Sequence, residues 1–485
     1  EYFKKFRLNE YKNTFLNLKM YSRSSIYLTI VVAFLASILL SYHYILKYDR
    51  SKDSANNNRE HAMIKTAVSV PWTEADRILK DIKSGKNYFA SGGEQISEFL
   101  PQKLLALYFY ITGHEIYDSK MNLKINNGKL PYLIIKTSLY YLALLYFCKK
   151  IFSMFPLKNC FFIILFLAFE PSIFQYHSSF WNVSLFLPFE ILLLSLLLDQ
   201  SENILKNVFI GFILGIMFMI RPMIFWYIFP LLFYLFILYK KKSTKPISGL
   251  MIGYLLILVV IAFHNYKRVG IPYFMPTESK FVLSVSLAPQ ILAKKENLSV
   301  EQAKLRMKDE IEIWIKKNDL NLNINNSLFG INIGGKEEDR IKYYDYIQKT
   351  ALDIIINNPL ITAEYVFKQS LHMLVLNPVY VKYFYQFEGR GGKYLKSETH
   401  KKWIPIRIIY SVIIYLVVFW GIINSLKNMK KEIIFLLIVS SAYILAILGW
   451  MGIPRHFVPA LIFLSIFFGN GMAAILKSNT PNISK

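Results

Sequence analysis

The chain is poor in cysteine, in acidic residues and in charge altogether. Its 485 residues include two cysteines, Cys148 and Cys160, too few for the disulfide framework of a small secreted scaffold. Charged residues make up 18% of the chain, where a soluble domain has about a quarter. That scarcity excludes a disordered chain, a coiled coil and a soluble enzyme. No phosphate loop, zinc-type His/Glu spacing or nucleophile elbow occurs. Internal repeats and low-complexity tracts are also absent.

Apolar residues dominate instead, at 54% of the chain with 16% aromatic and a mean hydropathy of +0.33. They fall in blocks long enough to cross a bilayer, which takes ~20 helical residues for ~30 Å of hydrocarbon. The expected fold is an all-α polytopic membrane protein of about ten transmembrane helices. The spans are predicted at 26–46, 130–147, 159–175, 180–198, 204–220, 223–239, 247–264, 404–424, 432–450 and 456–476. The first lacks a small-residue cleavage site after it and reads as a retained anchor.

Five regions follow. Residues 1–24 form a basic cytoplasmic segment, and 25–264 an N-terminal transmembrane module with an outer loop at 47–129. Residues 265–403 make a mainly helical outer segment, 404–476 a C-terminal transmembrane module and 477–485 a tail. Two further apolar stretches, Phe99–Thr112 and Leu360–Leu376, read as interfacial helices. In the second, Glu364, Lys368 and His372 recur every four residues as one polar stripe, with Leu360, Phe367, Leu371 and Leu374 read on the other side, which suits either a surface helix or one packed on the outer segment's own core.

Lys plus Arg total 57 against 32 Asp plus Glu, a formal charge of +25. In a soluble protein that excess would indicate nucleic acid. Here it sits in short loops: Lys149-Lys150, Lys206, Lys240-Lys241-Lys242 with Lys245, and Lys427 with Lys430-Lys431. The short loops on the other side hold only Arg221 and Arg455. This bias predicts both termini in the cytoplasm and both long segments outside. It leaves membrane lipids as the partners of the basic residues and no role for nucleic acid. The cysteines then face a reducing compartment, so no disulfide is expected. Richness in Lys, Asn, Ile, Phe and Tyr points to a bacterium, and so to its inner membrane.

Chemistry can sit at four places. Trp72–Gly85 reads as a short helix capped by Thr73 and ended by Gly85, with Ile78 and Ile82 on one face. Its Glu74 and Asp76 either complement the helix N-terminus or act as a general base at the bilayer surface. Arg221 in Ile220-Arg221-Pro222 and Arg455 in Pro454-Arg455-His456 either snorkel to headgroups or grip a lipid-linked phosphate. Arg390 and Lys393, in the glycine-rich run Glu388–Lys393, can approach an anion. Glu170 and Glu190 lie in or beside apolar spans, where an ionisable group is costly. Glu170 is placed within reach of outer water, and His177 reads as a polar surface residue.

Several of these stretches resemble the integral-membrane glycosyltransferases of the GT-C superfamily, near the bacterial relatives of protein O-mannosyltransferases and the lipid A aminoarabinose transferase. Glu74-Ala75-Asp76-Arg77 through Gly85 resembles the acidic first-loop helix, and Pro101–Gly113 the Pro-containing apolar segment after it. Leu214-Gly215 through Ile220-Arg221-Pro222 resembles the Gly-rich span ending in Arg-Pro. Asn265–Gly270, Ile356–Pro359 and Arg455–Pro459 resemble later motifs, so the likeness extends over most of the chain. Asn182 stands where the family has an acidic residue, and His264 where it has arginine.

The resemblance implies a polyprenyl-phosphate-linked sugar as donor and a lipid, glycan or protein hydroxyl as acceptor on the outer face. Asp76 or Glu74 would be the base. Arg221, Arg455, Lys393 and Arg390 would hold the donor phosphate, with His177, Asn182, His456 and Asn265 as further substrate contacts. No cofactor is required, no metal site is assigned, and a divalent metal is left open. The alternatives are an O-antigen polymerase or ligase using a lipid-diphosphate donor, and a lipid-linked oligosaccharide flippase or transporter.

Overall fold

The computed structural model describes residues 21–50, 74–91, 99–116, 129–177, 182–199, 201–274, 283–324, 333–375, 398–448 and 457–478. These are largely helical. The described part begins with α1 (Arg23–Arg50), α2 (residues 74–83), α3 (Phe99–Thr112), α4 (Lys129–Ile151), α5 (Leu157–Phe169) and α6 (Pro171–His177). It continues with α7 (Asn182–Leu198), α8 (Ile204–Ile220), α9 (Ile228–Tyr239) and α10 (Thr244–Val269). Between α8 and α9 lies a 3-10 turn, Pro222–Tyr227.

Among the described residues, six helical stretches are long and apolar enough to cross a membrane: Arg23–Tyr42, Leu130–Ile151, Pro222–Lys242, Thr244–Arg268, Ile408–Asn428 and Val458–Leu476. The protein is thus a multi-pass membrane protein. Three stretches expected as spans form shorter helices, α5 of 13 residues and α7 and α8 of 17 each. At 1.5 Å per residue the latter are about 26 Å long, a little under the hydrocarbon thickness.

Ion pairs gather the lysine-rich turns at one face. Lys150 and Lys206 reach the same Asp199 carboxylate at 3.0 and 3.1 Å, and Lys242 approaches Glu202 at 3.7 Å. Tyr21, beside the start of α1, packs on Phe161 at 5.5 Å, and Lys158 lies over the Tyr21 ring. The start of α1 therefore belongs to this lysine-rich face too. Cys148 and Cys160 are buried beside it as free thiols.

α8 and α10 pack closely because each presents glycines four residues apart. A Cβ on Gly211 would lie 2.0 Å from the Leu250 carbonyl oxygen, and one on Gly253 would lie 1.9 Å from that of Val208. Between helices in lipid such small-residue faces let backbones approach and gain dispersion contact. Gly253→Leu is expected to force the pair apart, with loss of the monodisperse peak in size-exclusion chromatography. Ile252→Leu, at a neighbouring exposed position, is expected to leave that peak unchanged.

The second half contains α11 (Ala288–Glu296), α12 (Val300–Lys317), β1 (Leu322–Ile324), β2 (Ile333–Gly335), α13 (Glu337–Ile356) and α14 (Pro359–Val375). In α12 a capping box, Ser299 with Gln302, starts the helix, and Ala303, Met307, Ile311 and Ile315 recur every four residues. They pack on Ala288, Tyr343, Ile347 and Ala351, so this segment has its own apolar core. The two strands form one short antiparallel ladder. The last described helices are α15 (Glu398–Asn428), α16 (Lys431–Leu448) and α17 (Val458–Ser478).

α14 is helical as its pattern predicts. Leu360, Phe367 and Leu371 are exposed, and so are Glu364 and Lys368. The polar stripe and the apolar set therefore share one uncovered side, because residues three, four and seven apart converge at 3.6 residues per turn. Glu364 is held by Lys294 of α11, which lowers the pKa of its carboxyl.

Candidate functional site

α2 carries the first-loop acids. Ala75, Ile78 and Leu79 pack against Leu105, Ala106 and Phe109 of α3 and Leu133 of α4. Gly85, at φ +87°, ends the helix: its N–H donates to the Ile82 carbonyl and that of Lys86 to the Asp81 carbonyl, both at 3.0 Å. That is the bonding of a glycine C-cap. Thr73, the expected N-cap, lies outside the described residues. Asp76 is nearly buried, at 8% exposure, and its carboxylate meets the exposed Lys80 ammonium at 2.8 Å. Glu74, half-buried, acts electrostatically on Lys103.

Lys103 of α3 is a residue that motif reading missed. It is 3% exposed, and its Nζ donates to the carbonyl oxygens of Tyr88 and Ser91 and, at 3.1 Å, to the Ser91 hydroxyl. The ammonium also lies 4.7 Å from the Tyr88 ring centroid. Burial, and then the Arg268 charge, lower its pKa to about 8, against the opposing pull of Asp81 and Glu74. At neutral pH it still carries its proton. A single lysine in an apolar stretch gives no sequence signal of this kind, since its acceptors are backbone atoms of a loop. Lys103→Met is expected to free the 84–91 loop, seen as faster proteolytic cleavage there and a lower melting temperature. Each stranded buried acceptor costs on the order of 1–3 kcal/mol.

The end of α10 meets the same place. Phe89 of the loop packs edge-on to Phe263 at 6.2 Å. His264 and Asn265 are buried, with His264 Nδ1 and Asn265 Oδ1 at 3.2 Å. The Asn265 amide donates to the Tyr273 carbonyl, tying the segment after the helix back to its last turn. Gly270, at φ +78°, forms the cap that permits the reversal.

Arg221 stands at the equivalent end of α8. Gly211 lies against Leu250 and Tyr254, and Gly215 against Ile257, so the two helices run parallel in a register that puts Arg221 level with His264 and Asn265. Its backbone is extended (φ −142°, ψ 108°), with Pro222 opening the 3-10 turn. The side chain does not snorkel outward. It is 6% exposed, with the guanidinium 5.9 Å from the Phe186 ring centroid, and its charge acts on Glu190 of α7. Glu190 is fully buried, and neither of its carboxylate oxygens has a hydrogen-bond partner among the described residues. The arginine therefore points toward the protein interior; Glu190 stands out in the sequence as an acid in an apolar span, but its proximity to Arg221 does not.

Glu170 differs from its expected place within reach of water. It is 3% exposed and caps α6, accepting from the Ile173 N–H at 2.8 Å and the Ser172 hydroxyl at 3.2 Å. The Tyr410 hydroxyl of α15 adds a bond at 3.3 Å. The N-terminus of α6 needs acceptors, and Pro171 directs the carboxylate back onto it.

Of the expected site residues, Glu74 and Asp76 share α2, and α2, Lys103, His264, Asn265 and Arg268 gather at one end of the molecule. Arg221 lies at the same level but is engaged with α7. His177 and Asn182 fall within α6 and α7, and their side chains lie outside the described residues, as do Arg390, Lys393, Arg455 and His456 entirely. No group of three or more His, Cys, Asp or Glu suited to a metal occurs among the described residues. No protein-family model matches the chain, nor does any curated protein or solved structure.

Proposed function

We propose that the chain is a glycosyltransferase that moves a sugar from a polyprenyl phosphate to a hydroxyl acceptor at the membrane surface opposite the lysine-rich turns. One observation carries the reading. Three stretches far apart in sequence, the acidic first-loop helix, the Pro-containing apolar helix and the Asn265–Gly270 stretch, meet around Lys103, level with Arg221. They are the same stretches that resemble GT-C enzymes. The reading includes about ten membrane crossings, the lysine-rich face in the cytoplasm and a bacterial inner membrane. Its support is that α5 and α7, and α8 and α9, leave the lysine-rich face and return to it.

In this reading Asp76, with Glu74 as the alternative, takes the acceptor's hydroxyl proton as that oxygen attacks the anomeric carbon. The bond from that carbon to the phosphate oxygen breaks, and polyprenyl phosphate leaves with the electron pair. Arg221 and Arg455, with Lys393 and Arg390, offset its developing charge. No nucleotide or other cofactor is needed, and the acceptor is a lipid, glycan or protein.

Purified protein incubated with polyprenyl-phosphate sugars and extracted lipids, followed by mass spectrometry, tests the reading. A glycosylated product with release of polyprenyl phosphate is expected. A lipid-linked oligosaccharide flippase is the second reading, favoured by the buried ionisable side chains Glu190, Arg221 and Lys136. Movement of the lipid-linked sugar across vesicles without any product would replace the first reading by the second.

A further inference from the structure

Glu190 of α7 has no part in the transfer of a sugar, yet its position is unusual for a carboxyl. It is fully buried, and neither of its oxygens has a hydrogen-bond partner among the described residues. α7 packs along α4, and the Lys150–Asp199 ion pair joins their ends at the lysine-rich face. Counted back from that pair at 1.5 Å per residue, Tyr140 and Glu190 both lie about 14–15 Å away. That is half of the ~30 Å hydrocarbon core. The carboxyl therefore sits near the membrane midplane, level with Tyr140.

Tyr140 leads from there toward the opposite face. Its hydroxyl donates to the Leu167 carbonyl at 2.7 Å, in the last turn of α5 before Glu170, and both Glu170 and Glu190 act on it electrostatically. Thr137, one turn before Tyr140 on α4, adds a buried hydroxyl without a hydrogen-bond partner among the described residues. Few other ionisable groups face Glu190. Arg221 comes from the end of α8 and Tyr227 from the 3-10 turn. The guanidinium lies by the Phe186 ring and makes no hydrogen bond to the carboxyl. α17, also packed on α7, has no ionisable residue before Lys477. α6 has only Tyr176 and His177, whose side chains lie outside the described residues.

An isolated carboxylate in the membrane interior is costly, and a bound proton removes that cost. A metal ion would instead need several oxygen ligands and would be repelled by Arg221. We propose that Glu190 is a proton-binding site in the membrane interior, exchanging its proton with the face opposite the lysine-rich turns through Tyr140 and Glu170. As the proton leaves, the carboxyl O–H bond breaks toward the Tyr140 oxygen, and that hydroxyl releases its own proton toward Glu170. One proton reaches the water beyond, and the reverse steps restore the acid. Acid chains of this kind relay protons in pumps and transporters. The site stands whether or not the chain transfers a sugar.

Infrared spectroscopy of the full chain in lipid vesicles, in light and heavy water, tests it. A component of the carboxylic-acid carbonyl band that shifts in heavy water is expected to be lost in Glu190→Gln and kept in Glu190→Asp. Tyr140→Phe is expected to slow that shift several-fold without removing the component. Should the glutamine variant not fold, dicyclohexylcarbodiimide labels the wild-type chain directly. This apolar reagent takes the acid proton on nitrogen as the carboxyl oxygen bonds its central carbon, and the adduct rearranges to a stable N-acylurea that peptide mass spectrometry locates. A label on Glu190, undiminished by sodium chloride, is expected. The same acid band in the wild type and Glu190→Gln, or no label on Glu190, would overturn the site. Protection by sodium chloride would overturn the proton in favour of a sodium ion, and an unchanged exchange rate in Tyr140→Phe would overturn the route.

Discussion

Asp76→Asn is expected to lower sugar transfer by about 10²–10⁴-fold, the range a positioned general base contributes, while yield and melting temperature stay near those of the wild type. The two halves of that result have separate physical causes. Asparagine keeps the shape of the side chain and the packing of α2 on α3, where Ala75, Ile78 and Leu79 do the burying. The ion pair that it loses is to Lys80, whose side chain is 65% exposed, and such surface pairs contribute little. What asparagine cannot do is take a proton. Glu74→Gln serves as the parallel variant, since Glu74 lies two residues earlier on the same helix. Full transfer activity in both variants would remove the base from α2 altogether. Loss in one alone would assign it.

Arg221→Ala is expected to destabilise the protein on the order of 1–3 kcal/mol, as disruptive substitutions at buried positions do. The side chain is buried and its charge acts on the fully buried Glu190. The guanidinium also loses its place over Phe186, a contact of the cation–π kind. Combining Arg221→Met with Glu190→Gln should recover most of the melting temperature, since the guanidinium and the carboxyl leave together and volume is nearly kept. If the double variant is stable yet inactive toward the polyprenyl-phosphate sugar, Arg221 serves the donor as well as the fold. If it is stable and fully active, the arginine is structural only, and the leaving phosphate must be held by other groups. Equal instability of the single and double variants would show that the pair is not coupled.

The helical membrane class is legible in the amino-acid sequence, because burying an unpaired backbone in hydrocarbon is so costly that spans must be continuous apolar helices. Local punctuation is equally legible. Gly85 ends α2, Ser299 and Gln302 cap α12, and Pro359 opens α14, each through bonds within a few residues. Periodicity also places α14, and the one exposed side shared by Leu360, Glu364, Phe367, Lys368 and Leu371 follows from the same spacing.

What the tertiary structure alone decided is where the charged side chains go. Arg221, at the edge of an apolar span, could in sequence terms face lipid headgroups or the interior. The register of α8 on α10, imposed by backbone contact at Gly211 and Gly253, and the burial of Glu190 turn it inward. Lys103 in an apolar helix became an anchor because the carbonyls of Tyr88 and Ser91 come to it through a turn that no short pattern encodes. Hydrophobic patterning is a one-dimensional property and survives in the sequence. Pairing of isolated charges depends on long-range packing, and only the folded chain sets it.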